Sequence, residues 1–237
     1  MVERYARARV DGWEIEGKYV DNSDGTVEVD GETVDYDDLL APCEPSALYC
    51  VGRNYAEKID QMEYDVPDVP DFFIKPPTSV LSPGDDIVYP DWTDELTYAG
   101  ELAAVVGEKC HDVGEDEADE YVRGYTVMND LDALDQERRT ARKAFDGSAP
   151  LGPCIADMDP SGLDIETCVG GEKRQDANTD MMLFGAEELV SFMSERFTLR
   201  EGDVIAFGSP ANPGRLERGD SVEITYGGVG TLRNSVV

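Results

Sequence analysis

The chain has 237 residues and a formal net charge of −32, with 52 acidic and 20 basic residues. This length fits one domain with or without a small appendage, and it is enough to bury a substantial core. The acids are spread along the chain, which favours a halophilic-type protein with a solvated acidic surface. Nucleic acid is excluded as a partner, because phosphate binding needs basic patches.

Cysteine and histidine usage limits the kinds of metal site and catalytic site that this chain can form. The five cysteines are irregularly spaced without a CxxC pair, which predicts reduced, buried thiols rather than disulfides or a zinc site. His111 is the single histidine, so His-rich metal sites and Ser-His-Asp triads are excluded. With no apolar leader and no run of about 18 apolar residues, we expect a cytoplasmic protein that does not engage membranes.

Residues 1–43 are predicted to form a small N-terminal β subdomain. Apolar and polar residues alternate over 5–10 and 13–20, and two shorter runs follow over 26–29 and 33–36. Turn-forming residues cluster at 21–25, between the second and third strands. Nothing in this segment carries catalytic chemistry, so a packing role is expected.

Residues 44–237 are predicted to form the main domain. The patterns predict strands over 47–51, 72–77, 86–89, 122–129, 164–169, 219–224 and 230–232, and helices over 56–62, 115–121, 132–144 and 186–197. The run 102–106 is too continuously apolar for a surface strand, so we expect it to be buried on both faces. Residues 62–72 are predicted to form a mobile loop. Short strands between glycine turns indicate an α+β roll or barrel-like body.

Several short motifs occur together in one order. They read GYTVMND at 124–130, REGDVI at 200–205, VGRNY at 51–55, FIKP at 73–76, GELAAVVG at 100–107, KAFD at 143–146 and LGP at 151–153. Over residues 44–237 the chain resembles the fumarylacetoacetate hydrolase family. The resemblance implies a mixed β-roll, a homodimer, and a Mg²⁺ or Mn²⁺ cation that helps to hydrolyse, decarboxylate or isomerise small 2-oxo acids or β-diketo acids.

The resemblance also assigns site residues. Glu101 matches the second glutamate of a Glu-x-Glu metal motif, and Asp130 matches the metal aspartate. Lys143 matches the lysine beside that aspartate and is expected to be catalytic. Gln136, Ser209 and Lys75 are expected to bind substrate, with Ser209 replacing a threonine. A cluster of ions that only fills the core is the alternative for Glu101, Asp130 and Lys143.

Four positions depart from the family pattern. Ala99 stands where the first metal glutamate belongs, and a methyl group cannot coordinate a cation. Lys58 replaces a catalytic histidine, Gln61 replaces its partner glutamate, and Leu134 replaces an arginine. These substitutions predict a degenerate active site.

Charge counting suggests how such a site could still function. Glu101, Asp130 and Lys143 together leave one negative charge without a metal, and adding Lys58 brings the sum to zero. We therefore expect Lys58 as a second catalytic residue, with Lys58 or Lys143 partly replacing the cation. Two hypotheses stay open: an enzyme with reduced or changed activity, and a pseudoenzyme that binds a carboxylate ligand or partners an active relative.

Overall fold

The computed structural model describes residues 2–22 and 25–237, so Ser23 and Asp24 of the turn expected at 21–25 lie outside the described residues. The strands are β1 (Glu3–Val10), β2 (Trp13–Asp21), β3 (Val27–Val29), β4 (Glu32–Val34), β5 (Leu39–Leu40), β6 (Leu48–Gly52), β7 (Asp71–Lys75), β8 (Val80–Leu81), β9 (Leu96–Tyr98), β10 (Gly100–Val106), β11 (Val122–Asn129), β12 (Asp132–Ala133), β13 (Ala149–Asp157), β14 (Asp164–Val169), β15 (Glu172–Asn178), β16 (Val204–Ala206), β17 (Gly214–Arg215), β18 (Ser221–Tyr226) and β19 (Gly230–Ser235). The α-helices are α1 (Ala56–Gln61), α2 (Arg139–Lys143) and α3 (Ala186–Arg196), and 3₁₀ turns span Tyr36–Asp38, Pro77–Ser79, Glu115–Tyr121 and Thr179–Met181.

A large mixed sheet forms the body, in the order β4-β3-β2-β1-β13-β11-β10-β16-β6-β7. Strand β10 lies near its centre, and every residue of β10 is buried. Leu102, Ala104 and Val106 pack into one apolar cluster, whereas Ala103 and Val105 pack into a second cluster on the opposite face. The prediction of a strand buried on both faces is confirmed.

A second sheet covers one face of the first. Its order is β15-β14-β18-β19, and its inward side chains Ile165, Ile224 and Leu232 join the same apolar cluster as Leu102. Helix α3 adds Leu189 and Met193, which lie one turn apart on its buried face. The mixed, sheet-dominated α+β fold confirms the predicted class.

The N-terminal strands extend one edge of the main sheet. Strand β1 pairs antiparallel with β13, in register from Glu3 opposite Asp157 to Tyr5 opposite Ile155. The segment also has an apolar cluster of its own around Ala8, Tyr19 and Val29. The division between residues 1–43 and 44–237 stays a prediction.

Two predicted elements differ in the structure. Residues 86–89 make no strand, and only Ile87 forms a bridge, to Val236. The helix predicted over 132–144 is shortened to α2, because residues 132–133 pair with β9 instead. The polar composition of this segment suits a helix, but strand pairing at its start overrides local propensity.

All five cysteines are free thiols, as predicted, and Cys168 alone among them is not fully buried. Within residues 2–22 and 25–237, no helix has the length and apolar character needed to cross a membrane.

Candidate active site

Two neighbouring strands bring the two candidate metal acids together. Strands β10 and β11 run antiparallel, with Gly100 opposite Asn129. Glu101 therefore lies near the start of β10, and Asp130 directly follows the end of β11. The Asp130 amide donates to the Ala99 carbonyl at 2.9 Å, which fixes the backbone at this corner. Both side chains are buried, with 3% exposure each.

Asp130 lies between two lysines. Its Oδ1 is 2.9 Å from Lys75 Nζ, and its Oδ2 accepts a short hydrogen bond from Lys143 Nζ. Lys75 is fully buried and also donates to the carbonyls of Leu131 at 3.1 Å and Ser148 at 2.7 Å. Burial opposes ionisation of Asp130, but Lys143 and Lys75 outweigh it and hold the pKa of Asp130 below its ordinary value.

A second carboxylate extends this ion cluster. Asp132 accepts two hydrogen bonds from the Arg142 guanidinium, at 2.7 and 2.5 Å, and lies 3.2 Å from Lys143 Nζ. Burial lowers the pKa of Lys143, but Asp130 and Asp132 dominate and raise it above the ordinary lysine value. Asp130 and Asp132 with Lys75, Arg142 and Lys143 are called the paired half of the site.

Glu101 is held differently. Its Oε2 accepts one hydrogen bond from the Gly208 amide at 3.0 Å, and among the described residues no basic side chain forms an ion pair with it. Gly208 has a φ of +83°, and a Cβ there would lie 3.2 Å from the Val51 carbonyl oxygen, so glycine suits this turn. Burial, reinforced by the charge of Asp130, raises the pKa of Glu101 to about 8.

Lys58 on α1 reaches the same side of the site. Its Nζ donates to Ser209 Oγ at 2.5 Å. Burial, and secondarily repulsion from Lys143, holds the pKa of Lys58 below its ordinary value, against the attraction of Glu101 and Asp130. Glu101, Lys58, Gly208 and Ser209 are called the open half of the site.

Two adjoining cavities, of about 260 and 240 Å³, lie against both halves. The larger cavity is lined by more basic than acidic side chains: Arg53, Lys58, Arg139, Arg142 and Lys143 against Glu101, Asp130 and Asp132. The chain as a whole carries 52 acids and 20 basic residues, so the sign of the charge balance is reversed here. Such a cavity favours anionic ligands.

The structure brings together most of the residues named from the sequence. The larger cavity is lined by Glu101, Asp130, Lys143, Lys58 and Ser209. Lys75 lies behind Asp130 and has no exposed surface, so it supports the site without reaching a ligand. Gln136 is not among the residues lining either cavity, and its amide donates to the Trp92 carbonyl at 3.2 Å. Substrate contact by Gln136 and Lys75 stays a prediction that this geometry does not favour.

The departures from the family pattern have distinct surroundings. Ala99 borders the smaller cavity, beside Lys58 and Asp130. Gln61 points away from both cavities, exchanging hydrogen bonds with Asn212 at 2.8 and 2.9 Å. Leu134 is 43% exposed and lines the edge of the smaller cavity. The positions of Ala99 and Lys58 thus bear directly on the site, and that of Gln61 does not.

Sequence reasoning missed four charged residues of the larger cavity, Arg53, Asp132, Arg139 and Arg142. Arg142 directly precedes Lys143 on α2, and this adjacency was the available signal. Arg139 lies one turn earlier and makes a bidentate ion pair with Asp71, with N–O distances of 2.9 and 2.8 Å. The pairing of Arg142 with Asp132 depends on β12 and α2 folding together, which no local pattern shows.

The donor set does not fit a tightly held divalent cation. Magnesium and manganese bind oxygen ligands, and even when water and substrate complete the shell, one or two protein carboxylates must be free to coordinate. Here Ala99 offers a methyl group. Lys143 donates to Asp130 Oδ2, and Asp130 Oδ1 makes no hydrogen bond with the described residues but lies 2.9 Å from Lys75 Nζ, so an ammonium group that repels a cation lies beside each oxygen. Within the described part of the chain, no group of three or more His, Cys, Asp and Glu side chains is arranged to hold a metal.

A family comparison decides the relationship. Residues 47–237 match the model of the fumarylacetoacetate (FAA) hydrolase C-terminal domain. The chain belongs to the fumarylacetoacetate hydrolase family. The oxaloacetate tautomerase YisK of Bacillus subtilis is 34% identical over 207 residues, which cover 80% of this chain and 69% of that protein.

Solved structures of the family agree with this fold. A 2-hydroxyhepta-2,4-diene-1,7-dioate isomerase from Mycobacterium marinum superposes with a TM-score of 0.88 at 33% identity, covering 99% of this chain and 98% of its own. A fumarylpyruvate hydrolase from Pseudomonas aeruginosa, in complex with Mn²⁺ and pyruvate, gives a TM-score of 0.78 at 33% identity, covering 81% and 90%. The fumarylacetoacetate hydrolase family thus includes hydrolases and isomerases that act on small oxo acids, and at least one member binds a divalent cation.

Proposed function

We propose that this family member binds a small 2-oxo acid or β-diketo acid in the two adjoining cavities, together called the central cavity, and promotes its enolisation. The observation that carries the proposal is the basic cavity in a strongly acidic protein. An enolate is the intermediate shared by tautomerisation, decarboxylation of β-oxo acids and cleavage of diketo acids, where it forms by loss of a proton, of carbon dioxide or of an acyl group. The activities of the relatives, a tautomerase, an isomerase and a hydrolase, support this class of substrate.

Binding of the substrate carboxylate rests on the basic side chains. Arg142 and Lys143 are held by Asp132 and Asp130, so they present fixed positive charge to the cavity. Fixed charges that need no rearrangement stabilise an anion more effectively than mobile water does. The enolate that develops from a 2-oxo acid carries its charge on the 2-oxygen, beside the same groups. In this proposal, cationic side chains supply the stabilisation that the Mn²⁺-binding relative has available from its metal.

Proton transfer is assigned to the open half. Glu101 has a pKa near 8, so at neutral pH it exchanges a proton readily in either direction. It lines the larger cavity, within which a bound oxo acid would lie. Asp130 is unsuited to this role, because two ammonium groups hold it in its ionised form.

A binding protein without turnover is the second candidate. It is favoured by the replacement of the family histidine with Lys58 and by the full engagement of Asp130. Under this candidate, the basic cavity holds a carboxylate ligand and no proton transfer follows.

One experiment separates the two candidates. The protein, purified in high salt with a chelator present, is incubated with pyruvate in deuterium oxide, and loss of the methyl proton signal is followed by NMR. Enolisation predicts exchange faster than the buffer rate, and Lys143→Met is expected to slow it. A thermal shift with pyruvate but no accelerated exchange would favour the binding protein. Neither a shift nor exchange, with oxaloacetate as well as pyruvate, would overturn the proposal.

A homodimer is proposed alongside this function. Its support is an apolar groove of about 690 Å³, lined by Leu81, Ile87, Val88, Trp92 and Phe145. Leu131 also lines this groove, and its carbonyl accepts a hydrogen bond from Lys75 of the paired half. Val88 and Trp92 are 69% and 51% exposed, which is unusual for large apolar groups. Light scattering at high salt measures the mass, and a monomer would contradict the dimer.

A further inference from the structure

Lys58 differs from the other two lysines of the site and from Arg139 and Arg142. Lys75, Lys143, Arg142 and Arg139 each lie within 3.0 Å of a carboxylate oxygen. Within residues 2–22 and 25–237, no carboxylate comes within the 4.0 Å limit of an ion pair with Lys58. Its recorded partner is the hydroxyl of Ser209, which neither carries charge nor stabilises an ammonium as a carboxylate does.

The position of Lys58 adds a second observation. Its side chain lines both cavities, whereas Glu101 and Ser209 line only the larger one and Ala99 only the smaller. A molecule that occupies either cavity, or spans both, therefore meets this amine. Lys75 offers a contrast, since it is fully buried, donates to two carbonyls and lines neither cavity.

We infer that Lys58 forms a Schiff base with the 2-oxo group of an acid bound in the central cavity. The inference rests on the proposed function, since it requires a 2-oxo acid to bind there. It extends that function by assigning a covalent intermediate to this chain.

The step balances without any further reactant. The neutral amine of Lys58 attacks the 2-carbon, and the carbonyl π electrons move to the oxygen, which takes up a proton. The resulting carbinolamine loses water to leave an iminium ion. When the acid then loses a proton or carbon dioxide from the carbon next to the iminium, the electron pair moves onto nitrogen. Reprotonation of carbon and hydrolysis by water release the product and return the amine.

The surroundings of Lys58 suit this chemistry. An amine must be neutral to act as a nucleophile, and desolvation together with a neighbouring cation lowers a lysine pKa in this way. Both features are present, because the half-buried Lys58 is partly desolvated and lies near Lys143. Ser209 Oγ, at 2.5 Å, is placed to pass a proton to or from the nitrogen. An iminium ion withdraws electrons as a bound cation does, so Lys58 compensates for the ligand missing at Ala99.

Reductive trapping tests the inference. The full-length protein is incubated with pyruvate and sodium cyanoborohydride at high salt, and adducts are located by intact mass and peptide mapping. We expect one reduced pyruvyl group per chain, on the peptide that contains Lys58. Lys58→Arg is expected to abolish the adduct, because arginine keeps the charge but stays protonated. The exposed Lys173, within the same protein, reports non-specific modification.

The outcomes separate the inference from the proposed function. Pyruvate-dependent thermal stabilisation or methyl exchange without an adduct on Lys58 would overturn the Schiff base and leave the proposed function standing. Equal labelling of Lys58 and Lys173 would also overturn it, as would an adduct that persists at full level in Lys58→Arg. No binding, exchange or adduct with pyruvate or oxaloacetate would overturn both. Circular dichroism of Lys58→Arg and of the alternative variant Lys58→Gln identifies which of them keeps the native fold for this comparison.

Discussion

The paired and open halves of the site use the same residue types but treat charge in opposite ways. In the paired half, each ammonium faces a carboxylate, so the pKa of Lys143 rises and that of Asp130 falls. In the open half, Lys58 faces a hydroxyl and Glu101 faces an amide, so the pKa of Lys58 falls and that of Glu101 rises. The contrast teaches that ion pairing fixes the protonation states in the paired half. The open half has no such ion pairs among the described residues, so its groups can gain and lose protons.

This contrast explains how the site keeps a defined shape with an alanine at position 99. The buried pair of Asp130 and Lys75 holds β11, β7 and the residues before β13 together, through the carbonyls of Leu131 and Ser148. The open half then contributes groups whose protonation is not fixed by partners. We expect substitutions in the paired half to affect folding first, and those in the open half to affect chemistry first.

The largest effect is expected from Asp130→Asn. It leaves the fully buried ammonium of Lys75 without a carboxylate, and uncompensated buried charge costs about 3–5 kcal/mol. Urea denaturation at high salt measures the loss. Asp71→Asn is the matched control, because it breaks the half-exposed ion pair with Arg139 and should cost about 1 kcal/mol or less. Equal losses for the two variants would contradict the structural role of the paired half.

Lys58→Arg is expected to have the next largest effect, on activity rather than stability. Losing a proton-transfer or nucleophilic group should slow pyruvate methyl exchange by about 100-fold or more. Unfolding free energy should change by only about 1 kcal/mol, because no buried carboxylate loses its partner. NMR measures the rate of methyl exchange, and urea denaturation measures the free energy of unfolding. A variant with wild-type exchange would remove Lys58 from the mechanism.

Much of this fold could be predicted from local patterns, because β10 and β11 are strongly apolar and the turns are rich in glycine. The strand expected at 86–89 was wrong, since the backbone of Ile87 makes one isolated bridge to Val236 that does not extend into a ladder. Motif order grouped Glu101 and Asp130 in one predicted site, and the structure brings them to the same cavity, while their role as metal ligands stays a prediction. Ion pairing could not be predicted: Lys75 lies 55 residues before Asp130 in sequence, and only the sheet brings them together.

Glu101 provides a test based on pH. Its folded-state pKa, near 8, lies above the ordinary value of 4.5, so the folded protein holds a proton that the unfolded chain releases. The stability that the protonated Glu101 contributes is therefore fully present below about pH 4.5. It is lost as the pH rises through about 8.

The difference between wild type and Glu101→Gln isolates this group from the general acidic surface. Because glutamine stays neutral, the variant should gain roughly 3–4 kcal/mol relative to wild type between pH 5 and pH 8. Denaturation curves at a series of pH values measure the difference. A difference that does not depend on pH, or one that grows in the opposite direction, would show that Glu101 is ionised throughout.

The smallest effect is expected from rebuilding the metal site. The double variant Ala99→Glu with Lys58→His replaces a methyl group with a carboxylate and removes one ammonium, so the cavity gains negative charge. We expect Mn²⁺ to stabilise this variant by about 1–2 kcal/mol at roughly 10- to 30-fold excess over its dissociation constant. Ala99→Gln with Lys58→His is the control, since it has nearly the same shape without the added charge. Stoichiometric Mn²⁺ in the wild type, found by elemental analysis, would show instead that Glu101 and Asp130 suffice and that the lysines do not replace the cation.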